Sequence, residues 1–191
     1  MKLANSVLFL TLVLAASAAT AAEPEGEGWT KIFNGKDLSG WKVPEGDGGH
    51  WKVIDGVIDY DARSEAKGDK NLWSEKSYED FVLHIDWRIK ETHGKYPMKV
   101  ILPDGSYKKD AAGKDIVNPT ANADSGVFLR GQGKSQVNIW CWPVGSGEVW
   151  GYRNDKNQPA ATRAAVTPKV KADKPVGQWN TFVITMRGDV L

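Results

Sequence analysis

The stretch FVLHIDWRIK, residues 81–90, decides the fold because its side chains alternate between two kinds. Large apolar side chains occupy every second position, namely Phe81, Leu83, Ile85, Trp87 and Ile89. The positions between them are mostly polar, namely Val82, His84, Asp86, Arg88 and Lys90. Successive side chains of a β-strand point to opposite faces. The stretch therefore predicts a strand with one face in a core and a second face that can carry chemistry.

Three other stretches divide in the same way: SGVFLRG (125–131), SQVNIWCWPVGSGEVWGYR (135–153) and WNTFVITMRG (179–188). In the second, the apolar side holds Val137, Ile139 and Cys141, and the other side holds Gln136, Asn138, Trp140 and Trp142. After residue 22, no window of eleven or more residues has a good helical period of 3.6. Long strands with one apolar and one polar-aromatic face predict an all-β sandwich of two antiparallel sheets.

Turn signals support the strand prediction. The sequence IDG at 54–56 separates HWKVI from VIDY, and PDG at 103–105 separates MKVIL from SYKK, so each predicts a hairpin. Apart from the second hairpin, we expect residues 91–123 and 154–174 to form loops, because both are polar and interrupted by Gly or Pro. The strand in WNTFVITM has no obvious sequence partner, so we expect the sandwich to lack its C-terminal strands and to leave an edge exposed.

The N-terminus predicts export. Met1-Lys2 precedes an apolar run over residues 7–16 that is too short to span a bilayer, and small residues follow up to Ala22. We interpret residues 1–22 as a cleavable signal peptide rather than a buried helix. Residues 23–191 are then one domain of a secreted or periplasmic protein, with no transmembrane segment. Their oligomeric state is left open.

Charge and cysteine content exclude several functions. Lys2 is one of the 25 basic residues, so cleavage leaves 24 basic against 24 acidic ones. That balance argues against nucleic acid or an anionic membrane surface as a partner. Cys141 is the only cysteine, so no internal disulfide can form, and we expect it to be a small core residue. No cofactor motif is evident, although a divalent cation such as calcium on Asp or Glu side chains stays open.

The polar-aromatic face suggests carbohydrate as a partner. Sugar rings combine an apolar C–H face with a rim of hydroxyls, which flat aromatic rings and planar polar groups can bind together. Trp140 and Trp142 lie on the same predicted face as Gln136 and Asn138. The competing interpretation is that these tryptophans pack beneath the long loops.

Three carboxylates can reach this predicted face: Asp86, Asp124 and Glu148. Two carboxylates across a sugar are the usual minimum for glycoside hydrolysis, one as acid and one as base or nucleophile. The Asp86 and Arg88 pair can equally be a surface ion pair. We expect Asp86, Arg130, Asn138 and Glu148 to converge on one concave surface.

Several stretches resemble the 3-keto-disaccharide hydrolase domain family, formerly a domain of unknown function. They are GWTKIFNGKDLSGWK (28–42), HWKVIDGVI (50–58), LWSEKSYEDFVLHIDWRIK (72–90), ADSGVFLRG (123–131), residues 135–153 and PVGQWNTFVITMRGD (175–189). Relatives often have Glu-Val-Gln-Ile where this chain has residues 136–139, and Asn-Ser-Gly where it has residues 124–126. Residues 98–120 form an insert that lengthens a rim loop. The resemblance implies a concanavalin A-like jelly roll.

The resemblance also implies an activity, cleavage of glycosides whose sugar carries a ketone at C3. Elimination through an enolate followed by hydration, or direct hydrolysis, would need a base near C2 and a cation or donor at the C3 oxygen. We predict Glu148 or Asp86 as the base and Arg88 or Arg130 as the stabiliser of the enolate. The predicted substrate-binding residues are Asp124, Arg130, Gln136, Asn138, Trp140, Trp142 and Tyr152. A lectin-like module that binds glycans without cleaving them is the alternative.

Overall fold

The computed structural model describes residues 26–62, 68–131 and 133–191. Within them, ten strands form antiparallel pairs and a single six-residue α-helix is present, so the all-β prediction is confirmed. The predicted signal peptide lies outside the described residues. The described residues contain no helix that combines the length and the hydrophobicity needed to cross a membrane. The strands are β1 (Trp41–Lys42), β2 (Trp51–Ile54), β3 (Val57–Tyr60), β4 (Trp73–Ser74), β5 (Phe81–Trp87), β6 (Lys95–Lys99), β7 (Val117–Ala121), β8 (Asp124–Phe128), β9 (Gln136–Trp140) and β10 (Asn180–Met186).

Two strand pairs pack face to face and form the sandwich. The pairs are β5 with β10 and β8 with β9. Their apolar side chains meet in one cluster, in which Leu129, Val137, Ile184 and Met186 are buried. On the opposite face of β10, Val183 is 64% exposed. The alternation in residues 81–90, 135–153 and 179–188 therefore predicted which side chains enter the core.

The partner of β10 is not evident from the sequence. All seven residues of β10 pair with β5, from Asn180 opposite Trp87 to Met186 opposite Phe81. Among the described strands β10 pairs with β5 alone, so its other edge is unpaired, as expected. The two strands lie almost one hundred residues apart in the chain, so no turn signal links them. Strand β5 ends at Trp87, three residues before the predicted end, although the Gly177 N–H still donates to the Ile89 carbonyl at 2.8 Å beyond the ladder.

The hairpin at IDG has the predicted geometry. Ile54 pairs with Val57, and the two turn residues, Asp55 and Gly56, have φ angles of 49° and 75°. Two consecutive positive φ angles define the turn that best matches the twist of a two-residue hairpin. At PDG, Ile101 bridges Tyr107, so the second predicted hairpin is also present.

Residues 95–121, which we call the arm, contain more regular structure than predicted. Strands β6 and β7 pair along five residues, although residues 117–121 were expected to lie in a loop. The prediction failed because Pro97 and Pro119 weaken the strand signal, yet the two prolines face each other in the ladder. An antiparallel pair accommodates prolines at positions that exchange no backbone hydrogen bonds.

The expected loop at 154–174 contains a short helix, α1 (Ala160–Ala165). Its sequence AATRAA has four alanines, the best helix-forming residue. Just beyond the helix, the Thr167 hydroxyl donates to the Arg163 carbonyl at 2.8 Å. Six residues are too few for the helical period to appear in the sequence.

A pair of substitutions in β10 tests the core assignment. We expect Ile184→Ala to lower the free energy of unfolding by about 2–5 kcal/mol, because it leaves a cavity in the buried cluster. The control Val183→Ala removes an exposed side chain from the same strand and should change it by less than about 1 kcal/mol. Chemical denaturation of both variants measures the difference, and equal losses would contradict the assignment.

Candidate functional site

Strand register places a set of polar and aromatic side chains on the face of β8 and β9 that points away from the core. Asp124 lies opposite Trp140, Gly126 opposite Asn138, and Phe128 opposite Gln136. Directly opposed residues of an antiparallel pair share a face. All six therefore face one way, while Val137 enters the buried cluster on the other side.

The segment after the turn at 141–147 runs beside β9 and extends this face. Val149 bridges Val137, and the backbone N–H groups of Asn138 and Trp150 each donate at 2.9 Å, to the carbonyls of Glu148 and Gln136. Because Val149 shares the face of Val137, Glu148 and Trp150 point to the other face. The polar-aromatic face thus gains a carboxylate and a third indole.

The arm covers part of this face. Trp140 is 2% exposed and packs with Met98, Ile101 and Val144. Its ring stacks on Trp142, with centroids 3.7 Å apart and planes at 19°. Little of the Trp140 ring is therefore exposed, as the competing interpretation of packing beneath a long segment expects. Because Trp140 also lines the cavity beside this stack, its role in holding a sugar ring stays a prediction.

Next to this stack lies a cavity of about 390 Å³. Cavities of this size are typical of small-molecule sites. Trp150 is 51% exposed at its edge, so one indole face is accessible to a ligand. The lining residues are Lys134, Trp140, Trp142, Glu148, Trp150, Gly151, Arg153, Asn154 and Asp155.

Glu148 and Arg153 form a buried ion pair in the wall of the cavity. Arg153 Nε donates to Glu148 Oε2 at 2.6 Å, and the side chains are 2% and 3% exposed, respectively. Burial raises the pKa of the Glu148 carboxyl, and the Arg153 guanidinium offsets part of that increase. Glu148 therefore lies in surroundings that make it a stronger base, when ionised, than an exposed glutamate.

Asn138 lies beside Glu148 and is 1% exposed. Within the described part of the chain its side-chain Nδ2 has no hydrogen-bond partner. A buried amide without a partner is unfavourable for stability. Asn138 was predicted to bind substrate, and that role stays a prediction.

Two other predicted binding residues share the face with Asn138. Burial raises the pKa of Asp124, which lies opposite Trp140 at the end of the ladder. The Gln136 side chain lies over Gly126, where an added Cβ would come 2.5 Å from Gln136 Nε2. Neither residue lines the cavity. Their roles also stay predictions.

Asp86 and Arg88 do not come to this cavity. Asp86 accepts a 2.5 Å hydrogen bond from Thr181 Oγ1, across the pair formed by β5 and β10. Because Asp86 neighbours the buried Trp87 in a strand, it points away from the core. The Arg88 guanidinium lies 4.8 Å from the centre of the Trp179 ring. The expected convergence of Asp86 with Glu148 is therefore wrong.

Arg130, which we expected at the cavity, lies away from it in a network of hydrogen bonds and an ion pair. Its guanidinium donates to the carbonyls of Glu79 and Gly188 and pairs with Asp80 at 3.1 Å. These groups lie just before β5 and just after β10, at the opposite end of the strands from Trp87 and Asn180. Arg130 thus ties the two layers together and does not line the cavity.

The sequence predicted Tyr152 as a substrate-binding residue, whereas Arg153 is the residue that lines the cavity. Alternation from Glu148 and Trp150 assigns the next position on the face to Tyr152. Gly151 has a φ of 96°, outside the range of a strand, so the alternation changes there and Arg153 lines the cavity instead. A glycine inside an alternating stretch was the available signal.

The structure also bears on metal binding and on the thiol of Cys141. No group of three or more His, Cys, Asp or Glu side chains that could hold a metal occurs among residues 26–62, 68–131 and 133–191. Cys141 is half-buried at a second cavity of about 320 Å³, and burial raises the pKa of its thiol. A thiol with a raised pKa stays protonated and is a poor nucleophile.

The described residues thus form an antiparallel β-sandwich with an exposed indole and a buried carboxylate at one cavity. The family called the 3-keto-alpha-glucoside-1,2-lyase-like domain matches residues 28–191, and the chain belongs to this family. This confirms the resemblance seen in the sequence, and it supports action on glycosides in general. No protein of curated function and no solved structure matches the chain.

The contact between the arm and Arg153 can be tested at a glycine. Gly105 has a φ of 83°, and an added Cβ would lie 2.9 Å from the Arg163 carbonyl and 3.1 Å from Thr167 Oγ1. Gly113 has a φ of 80°, but an added Cβ there would have no neighbour within 4 Å. Alanine at either position adopts an unfavourable left-handed backbone.

We expect Gly105→Ala to reduce the free energy of unfolding by about 1–3 kcal/mol more than Gly113→Ala does, because only the first substitution also creates a clash. Thermal or chemical denaturation of the two variants gives this difference. Equal losses would mean that the 103–105 turn does not lie against Arg153 and α1.

Proposed function

We propose that this protein cleaves 3-keto-glucosides, with Glu148 as the base. The observation that carries the proposal is the position of Glu148, which is buried in the wall of a cavity that is edged by Trp142 and Trp150. Membership of a family described as 3-keto-alpha-glucoside-1,2-lyase-like supports the substrate class.

The proposed chemistry begins with a base at the sugar. A ketone at C3 acidifies the hydrogen at C2, and Glu148 removes that proton. The bonding electrons form an enolate between C2 and C3. When the ketone reforms, a double bond forms between C1 and C2, the C1–O bond breaks, and the departing oxygen takes up a proton. Water that adds across the double bond then gives the same products as hydrolysis.

Two cations line the cavity and can offset the negative charge of the enolate. They are Arg153, beside Glu148, and Lys134, at the rim. Positive charge placed where negative charge develops lowers the barrier most in a dry site. These two replace Arg88 and Arg130 in the predicted role, because the latter lie away from the cavity.

Ring binding is assigned to the indoles that are not fully covered. Trp150 is half exposed, and Trp142, whose ring stacks on Trp140, lines the cavity. Asn154 and Asp155 supply polar groups at the edge. An aromatic surface beside amide and carboxylate groups matches the two chemical faces of a sugar.

A glycan-binding module without catalysis is the second candidate. The observation in its favour is the 2.6 Å bond between Glu148 and Arg153, since a carboxylate held in a buried ion pair is often structural. Release of a 3-keto sugar, measured separately from glycan binding, distinguishes the two candidates.

Export to the periplasm or beyond remains a proposal that is based on residues 1–22.

The assignment of the base is tested with two amide substitutions. We expect Glu148→Gln to lower kcat by about 10²- to 10⁴-fold on a 3-keto-glucoside, because the amide cannot accept the C2 proton. The matched control Asp86→Asn changes a carboxylate that lies on the outer face of β5, and it should retain parental kcat. Full activity of Glu148→Gln, or loss in Asp86→Asn alone, would contradict the assignment.

The aromatic surface is tested by truncating one exposed indole. We expect Trp150→Ala to raise KM by about 2- to 10-fold with a smaller change in kcat, because it removes ring contact rather than the base. Trp29 is 43% exposed and does not line the cavity, so Trp29→Ala is the control. An unchanged KM in Trp150→Ala would exclude this ring from substrate binding.

A further inference from the structure

Glu148 depends on one neighbour for its orientation. Among the described residues, the hydrogen bond to its carboxylate comes from Arg153 Nε. Both side chains are almost completely buried, so neither can exchange this contact for water without a structural change. The direction in which Glu148 presents its free lone pairs is therefore set by where Arg153 lies.

Arg153 is in turn held by two residues that lie outside strand β9. Its Nη1 donates to Asn154 Oδ1 at 3.0 Å, and the same oxygen accepts a 3.0 Å hydrogen bond from the Tyr107 hydroxyl. The Tyr107 ring also lies 5.3 Å from Arg153 Cζ, within the range of a cation–π contact. One amide oxygen thus fixes a guanidinium and a phenol relative to each other.

Tyr107 belongs to the arm, and the arm is fixed at two places. Met98 and Ile101 pack on Trp140, with Tyr107 against the same cluster. At the 103–105 turn, the Cβ position of Gly105 lies 3.3 Å from Arg153 Cγ. The arm therefore lies against Arg153.

We propose that Arg153 is a positioning residue for the Glu148 carboxylate, and that Tyr107 of the arm, together with Asn154, holds Arg153 in place. The kinetic part of this inference rests on the proposed function. The segment that the sequence presents as a lengthened rim loop thereby becomes a part of the site.

The charged surroundings of Glu148 make the proposal measurable. Burial raises the pKa of Glu148, and Arg153 is the charged residue that lowers it. An arginine that no longer reaches the carboxylate would let its pKa rise further. Other titratable side chains of the neighbouring elements include Asp124 on β8, Lys134 and Asp155 at the rim, Lys99, Asp104 and Tyr107 on the arm, and Arg163 in α1.

The experiment compares Arg153→Lys, Tyr107→Phe and the control Tyr96→Phe in the full chain. Lysine keeps the charge but loses the planar fork, and phenylalanine keeps the ring of Tyr107 but loses the hydroxyl. Tyr96 is an exposed tyrosine of the same arm. The readouts are the titration of the Glu148 carboxyl by ¹³C NMR, assigned with Glu148→Gln, and the acidic limb of the pH profile of kcat/KM.

We expect Arg153→Lys to move both the titration and the acidic limb to higher pH, and to lower kcat on the order of 100-fold. Tyr107→Phe should shift both in the same direction by less, and Tyr96→Phe should shift neither. The sign follows because a carboxyl with less support from Arg153 is ionised only at higher pH. Should Arg153→Lys fail to fold, Tyr107→Phe against Tyr96→Phe decides the question.

The two proposals fail in different ways. A carboxyl titration that does not move in Arg153→Lys, or in Tyr107→Phe when that variant decides, overturns the positioning role even in an active enzyme. A titration that moves as expected in a protein with no activity on any 3-keto-glucoside supports the positioning role and overturns the proposed function.

Discussion

The two-residue alternation of β9 is the constraint on which the molecule depends. Val137 and Ile139 of this strand are buried, and Val137 enters the cluster shared with β5 and β10, while Asn138 and Trp140 leave on the opposite face. A slip of one residue in register would exchange these two sets and would place an amide and an indole in the apolar cluster. The core and the candidate site are thus two faces of the same five residues, so stability and function cannot vary independently here.

Much of the fold could be predicted from the sequence, because alternation is a local property. The faces of Leu83, Val137 and Ile184 were all correct, and so was the hairpin at Asp55 and Gly56. Long-range pairing was not predictable in the same way. The partner of β10 is a strand almost one hundred residues earlier, and the pairing of β6 with β7 was hidden by two prolines that make the segment look irregular.

The candidate site could be predicted only in part, for three physical reasons. Alternation says which face a side chain takes but not which layer that face belongs to, and Asp86 was therefore assigned to the surface that carries Glu148. Glycine breaks alternation. After Gly151, with its positive φ, the side chain that lines the cavity is that of Arg153 rather than that of Tyr152, which strict alternation predicts. Packing by a segment distant in the chain is not visible in the local sequence either. Nothing in the residues around Trp140 indicates that Met98 and Ile101 pack against it.

The stacked indoles of Trp140 and Trp142 have an optical consequence. Two identical chromophores whose ring centres are 3.7 Å apart interact through their transition dipoles, so their absorption is shared between them rather than independent. Such coupling gives paired bands of opposite sign in circular dichroism. Because both indoles border the cavity and Trp140 is also buried beneath the arm, the protein carries an intrinsic spectroscopic reporter at the junction of these two regions.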